Sequence, residues 1–514
     1  MKTLYKATAV SFITAALITT SYSCTKSLDI DPQGQITEAQ IISDPNVATN
    51  LVTGIYNIFF AGDPFGNDVR GFQYIVLGDI ASDDADKGST PTDYGDAATI
   101  DALSAGPNNG VVNNIWKGHY QAIARANQAL TQLQNAQFDA VTKNKLIGEA
   151  RFLRAYFYFN LVRIFGGVPL LNSVPAASEA NDPKYQTRAT AQEIYKFITD
   201  DLVFAAANLP VIVNTSADVG RASKGAAQAM LAKVYLYNKD YQNAFLQSQA
   251  VITSGTYHLL DDFNVLFRAA NNNSVESIFE IQAGQNLACN ASIDRFATVQ
   301  GPRAGGKNGW QDRGYGFNNP SQSLVNEFEP TDIRKNATII TINPSNGANS
   351  KGTVLFDNFR IPTQDSVQNS RYNYKAYYSR EAEPNCGNFD RLPKHVMVMR
   401  YADVLLINAE AALQTGQTGA ALTSINLVRT RAKVPALTGA PTLQQIWHER
   451  RVELAMEQDR FFDLARQNAV QPGRAAAAFA ADGGKTWTST KALFPIPQQQ
   501  IDLSGGNLKQ NPGY

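Results

Sequence analysis

Cysteine is scarce: three residues, Cys24, Cys289 and Cys386, in a chain of 514. That is too few for a disulfide framework. With Cys24 set aside for reasons given below, Cys289 and Cys386 either pair in an oxidising compartment or stand as isolated thiols. An excess of one charge is also missing. Lys and Arg number 45, and so do Asp and Glu, so no global field draws in nucleic acid or an anionic bilayer surface. The four histidines, His119, His258, His395 and His448, are scattered. None sits in HExxH or another metal spacing, and no GxSxG, Walker A or dinucleotide fingerprint stands out. The expectation is a protein that is not an enzyme, with no cofactor and no metal. Past the first two dozen residues, no run is long and apolar enough to cross a bilayer. The composition, 44% hydrophobic and 18% charged, is that of a folded globular chain.

The N-terminus carries an address. Lys2 and Lys6 precede a short apolar run over residues 7–18, the pattern of a secretory signal. It ends in Ser21-Tyr22-Ser23-Cys24. A small residue directly before cysteine is what lipoprotein signal peptidase requires, so residues 1–23 are expected to leave and Cys24 to be lipidated. Ser21-x-Ser23 would also serve an ordinary signal peptidase.

Most of the recognisable order is helical. Residues 114–133 place Ile115, His119, Ala122, Ile123, Ala126, Ala129 and Leu130 at three- and four-residue spacing. Residues 222–253 read as helix, turn and helix, with small and large residues alternating as in tetratricopeptide pairs, and residues 400–434 repeat the pattern. Residues 148–171, GEARFLRAYFYFNLVRIFGGVPLL, crowd Phe152, Tyr156, Phe157, Tyr158, Phe159 and Phe165 nearly all round a helical wheel. Such a helix is buried on several sides, with Arg151, Arg154 and Arg163 paired or reaching the rim. The predicted fold is mainly α: tetratricopeptide-like helical pairs forming a superhelical scaffold, with long loop insertions and room for a small β element. The insertions are polar and glycine-rich, at 60–110, 300–323 and 343–393. Irregular stretches of that length usually carry function.

Five segments together resemble the SusD/RagB family of outer-membrane nutrient-binding lipoproteins: residues 148–170, 399–416 (MRYADVLLINAEAALQTG), 425–432 (INLVRTRA), 446–466 (IWHERRVELAMEQDRFFDLAR) and the terminal 493–514 (LFPIPQQQIDLSGGNLKQNPGY). The likeness covers essentially the whole mature chain. It implies a single SusD-like domain over 24–514, with an N-terminal part at 24–240 and a C-terminal SusD/RagB part at 241–514. It further implies a lipid anchor at Cys24, an outer-membrane, cell-surface location, and a SusC-type TonB-dependent transporter as partner. The expected role is to capture oligosaccharide and deliver it to that transporter. A peptide-importing relative is the nearest alternative; a helical-repeat assembly factor and a surface glycosidase are more distant ones.

Three clusters suit ligand chemistry. Asp79, Asp83, Asp84 and Asp86 fall within eight positions and are followed by Lys87. Carboxylates bond sugar hydroxyls strongly; a solvated acidic loop or a calcium loop fits the same residues, although no glutamate closes an EF-hand here. Trp310, Arg313 and Tyr315 share a glycine-rich loop, where an aromatic ring can take the C–H face of a pyranose and Arg313 its hydroxyls. For Trp310 packing is an equal reading, and Tyr315 with Phe317 suits packing better. Arg371 and Tyr372, with Tyr374 and Tyr378, form the third cluster, which cross-strand pairing would also explain. The helix at 448–466, dense in glutamate and arginine, reads as a structural ion-pair network through i,i+3 and i,i+4 pairs and contacts with adjacent helices.

Overall fold

In the computed structural model, residues 38–60, 65–179, 182–284, 295–305, 313–346 and 351–514 are described. The leader, Cys24, Cys289 and Trp310 lie outside them. Helix α1 (Pro45–Tyr56) starts on Asp44, whose side chain accepts the Asn46 amide. Asn109 caps α2 (Gly110–Gln134) through the amides of Val111 and Val112, and Asp139 caps α3 (Ala140–Phe165) through that of Thr142. Each cap satisfies donors that the first helical turn leaves open. Gly166, at φ +73°, then ends α3 in the left-handed region where glycine carries no Cβ penalty.

From there each helix packs on the next. α2 lies on α3, α3 on α4 (Ala191–Asn208), α4 on α5 (Lys224–Tyr237), and α5 on α6 (Tyr241–Thr253). The loop-rich region intervenes in sequence, yet α6 packs directly on α7 (Tyr401–Gln414), and α7 on α8 (Thr418–Arg431). Helix α9 (Leu443–Glu453) closes over both. This is the expected stack of tetratricopeptide-like pairs. Close approach comes from Ala226, Ala229 and Ala232 on α5 and Ala402, Ala409 and Ala412 on α7, all fully buried. The aromatic run of α3 is interior, with Phe152, Phe157, Tyr158 and Phe165 sealed from solvent. Its arginines are paired as expected: Arg154 grips Asp201 through Nε and Nη2 at 2.8 and 2.9 Å, and Arg163 meets Asp459 at 2.9 Å.

The small β element is present as four two-stranded antiparallel ladders among the described residues. β1 (Ala85–Gly88) pairs with β3 (Phe317–Pro320), and β2 (Ser277–Ile281) with β8 (Val396–Arg400). β4 (Ile339–Thr341) pairs with β7 (Arg371–Asn373), and β5 (Thr353–Val354) with β6 (Arg360–Ile361).

One expectation needs correcting. The charged segment 448–466 is not one helix: α9 stops at Glu453, and α10 (Arg460–Val470) begins after a break in which Met456 and Gln458 take φ of 64° and 65°. Cations from elsewhere hold the carbonyls that the break frees. Arg400 and Lys375 donate to the Glu453 carbonyl at 2.7 and 2.9 Å, and Arg70 to that of Glu457 at 3.1 Å. The network is structural, but it reaches mostly between elements. Glu449 bonds Arg334 at 2.6 Å and Arg429 at 2.8 Å. Glu453, fully buried, receives Arg334 at 2.9 Å, Arg400 at 2.5 Å, and Arg431. Taking away a buried charge that three guanidinium groups face leaves them short of compensation. Glu453→Gln is therefore expected to lower the unfolding free energy by about 3–5 kcal/mol, measured from urea unfolding; an unchanged midpoint would show the cluster to be energetically neutral.

Candidate functional site

The acidic segment divides by direction. A π-helical turn over Val76–Ile80 carries Asp79 inward, where Oδ1 accepts the Gln458 amide at 2.9 Å and Oδ2 the Asn318 side chain at 3.0 Å. Asp83 takes the Arg460 fork at 2.7 Å on each oxygen and Arg451 at 3.0 Å; Asp84 takes Arg451 at 2.7 Å. All three aspartates are fully buried. Burial opposes ionisation of Asp83, and the two arginines overcome it, holding its carboxyl well below the usual range. From beneath, the Lys485 ammonium donates to the carbonyls of Ile80, Ser82 and Ala85 at 2.8, 2.5 and 2.6 Å. These contacts correct the reading of Asp79, Asp83 and Asp84 as contacts for sugar or calcium. Lys87 is corrected in the same way, since its ammonium closes the following turn on the carbonyls of Thr90 and Asp93 at 2.7 and 2.9 Å. Tyr372 is also interior, its hydroxyl accepting the Asn369 amide at 3.0 Å.

Asp86 is the exception. Strand β1 alternates Ala85 in, Asp86 out, Lys87 in, as a period of two requires. Asp86 stands opposite Asn319 on β3, and β3 runs beside β7, where Arg371 Nε donates to the Pro320 carbonyl at 2.7 Å and Nη1 to Gln322 at 3.0 Å. The three clusters singled out in the sequence are thus neighbours along β1, β3 and β7: the Arg371 charge acts on Asp86, and Ser89, just past β1, donates to the Tyr315 carbonyl at 2.7 Å.

The same region also holds groups the sequence reading missed. Arg303 donates to Ser89 Oγ at 2.6 Å and pairs with Asp93. Burial raises the Asp93 carboxyl slightly, while the hydroxyls of Ser89 and Thr90 and the Arg303 charge bring it down to about 2. The Tyr315 hydroxyl donates to Asp390 Oδ1 at 2.5 Å, with Arg295 at 2.6 Å on the other oxygen. Arg313 pairs with Glu381 at 2.7 Å and sits 3.9 Å over the Phe359 ring. Phe356, 45% exposed, leans on Tyr374 and Tyr377. The available signal was the length and polarity of segments 300–323 and 343–393, which contain Arg303, Phe356, Phe359, Glu381 and Asp390. Half-exposed ions beside exposed rings can bond a polyol rim and stack its C–H face.

The other candidates resolve into structure. His119 is buried, with Nδ1 on the Ile115 carbonyl at 2.8 Å, and burial pushes its ring down to about 4. Glu329, His448 and Glu449 lie close enough to share a metal ion, but Arg429 already bonds both carboxylates, at 2.9 and 2.8 Å. Cys386 is disulfide-bonded, and its partner lies outside the described residues. No helix among the described residues is long and apolar enough to cross a membrane.

Asp79 gives a pH signature. Burial lifts its carboxyl from 3.8 to about 7, so between those values the fold holds a proton that the unfolded chain releases. Its stabilising contribution is complete below about pH 4 and is lost as the pH rises through about 7. Asp79→Asn should flatten that limb in urea midpoints taken from pH 4 to 8; parallel profiles for the two proteins would contradict the assignment.

Two family models match the chain: the SusD family over residues 275–514, and the family described as "Starch-binding associating with outer membrane" over residues 28–236. "SusD-like protein P2" of Formosa agariphila is 28% identical over 461 residues, covering 86% of this chain and 87% of its own length. Among solved structures, a "Laminarin binding SusD-like protein" is 27% identical with a TM-score of 0.74, covering 91% of this chain and 99% of its own. "Surface glycan-binding protein A" from Bacteroides fluxus is 25% identical with the same TM-score and the same coverage.

Proposed function

We propose, from the premise that this chain belongs to the SusD family, that it captures oligosaccharide at the cell surface on the face carrying Asp86, Arg303, Arg313, Tyr315 and Arg371. It then hands the glycan to a SusC-type TonB-dependent transporter and performs no chemistry on it. The observation that carries this reading is the match along almost their full length to two proteins described as laminarin binding and glycan binding. The face supports it. Its ions are fixed by partners on one side and partly open on the other, so they offer charge-assisted hydrogen bonds without first having to be ordered. An open face also suits a polymer, whose chain must run past the site at both ends. Trp310 joins this reading on sequence grounds, as a stacking ring. The anchor at Cys24 and the outer-membrane location rest on the leader and the small residue at Ser23.

Calorimetric titration with oligosaccharides from starch, laminarin, fructan, xylan and pectin, and with mixed peptides, tests the role. Saturable heat with one glycan class and no product is expected. Asp86→Ala and Arg313→Ala should each weaken it about tenfold or more, the worth of one hydrogen bond to a charged group. Heat with peptides alone would move the protein to the peptide-import reading.

A further inference from the structure

A groove of about 470 Å³ shares no lining residue with that face and falls within the roughly 300–1,000 Å³ typical of small-ligand sites. It lies between α2, the chain after α3 and the C-terminal helix Gln498–Leu503. Its floor is apolar and aromatic. Trp116 and Tyr120 sit 5.0 Å apart between ring centres, Tyr185 faces the groove, and Leu503 is 71% exposed.

The rim is polar and carries a positive charge with no counter-ion among the described residues. Lys117 and Gln121 line the groove, and neither side chain has a hydrogen bond or ion pair among the described residues. Gln186 and Gln500 add amides, and among the described residues no aspartate or glutamate lines the groove. Behind Tyr120, Arg188 is bound by neutral acceptors: the carbonyls of Gly167 at 2.6 Å, Phe165 at 3.0 Å and Lys509 at 2.9 Å, and the Asn511 side chain at 2.7 Å. The acids on the approach to Tyr185, Glu179 and Asp182, pair with Lys184.

We propose that this groove is a second saccharide site, selective for sugars bearing a carboxylate. Tyr120, backed by the buried Trp116, and Tyr185 take the C–H face of a pyranose, the Lys117 ammonium meets the uronate, and the glutamine amides bond ring hydroxyls. The proposal rests on reading the chain as a saccharide binder, but not on the face around Asp86.

Titration of the full chain with tri-galacturonate, tri-glucuronate and a neutral glucan trisaccharide separates the two sites. A uronate trisaccharide is expected to bind more weakly as salt rises. Lys117→Ala combined with Gln121→Ala should weaken uronate binding at least tenfold. Among the described residues neither position of the double variant makes a side-chain bond, and thermal unfolding checks that it folds. Silence with both uronates, equal affinity in the double variant, or equal affinity for the neutral sugar in this groove would overturn the proposal. Uronate binding that persists with no heat from any neutral glycan would count against the Asp86 face and leave the groove intact.

Discussion

Glu453 is a carboxylate sealed from solvent and surrounded by three guanidinium groups, and much of the molecule is arranged to satisfy it. Arg334, Arg400 and Arg431 come from three different elements. A buried charge is tolerated only when its partners are held in place, so this one carboxylate fixes α8, α9 and β8 against one another. The same lattice runs outward through Arg450 to Asp403 and Asp463, and through Asp459 to Lys233 on α5 and Arg163 on α3. Burial works against the Glu453 charge, and the arginines outweigh it, keeping the carboxyl ionised far below its usual range. Helices from the two ends of the chain therefore share one electrostatic core beside one hydrophobic core.

That lattice also positions the outer face. Because its cations hold the carbonyls of Glu453 and Glu457, the chain can leave the helix there and present the Gln458 backbone to Gly78. A Cβ at Gly78 would stand 2.2 Å from the Gln458 carbonyl oxygen, so only glycine allows the turn before Asp79 to seat. Arg451 and Arg460, on either side of the break, then draw Asp83 and Asp84 inward. With these anchored, β1 has one register on β3, and Asp86 is the carboxylate left facing out. The outward placement of Asp86 thus depends on acids sealed from solvent.

The helical scaffold was legible because its signals are local. Small residues at α5 and α7, caps at Asn109 and Asp139, and the all-round aromatic pattern of α3 each act within a few turns. The charged segment was legible as architecture but not as two helices. The break is stabilised by Arg70, Lys375 and Arg400, which lie far away in sequence. The acidic segment was misread for a related reason: four aspartates in eight positions have the same composition whether they face water or arginine. Arg303 and Asp390 gain meaning only when β1, β3 and β7 meet, and no spacing within either segment announces that.

The sequence by itself determined the helical pairs, the family and the polar insertions that carry the outer face, because hydrophobic periodicity and end-capping are short-range and repeat along the chain. Only the tertiary structure decided which charges face solvent. Asp83 finds Arg460 across 377 residues, and Asp79 finds the Gln458 amide across 379. A buried ion is oriented by the partner that compensates its lost hydration, and when that partner lies at the other end of the chain, the local pattern cannot reveal it.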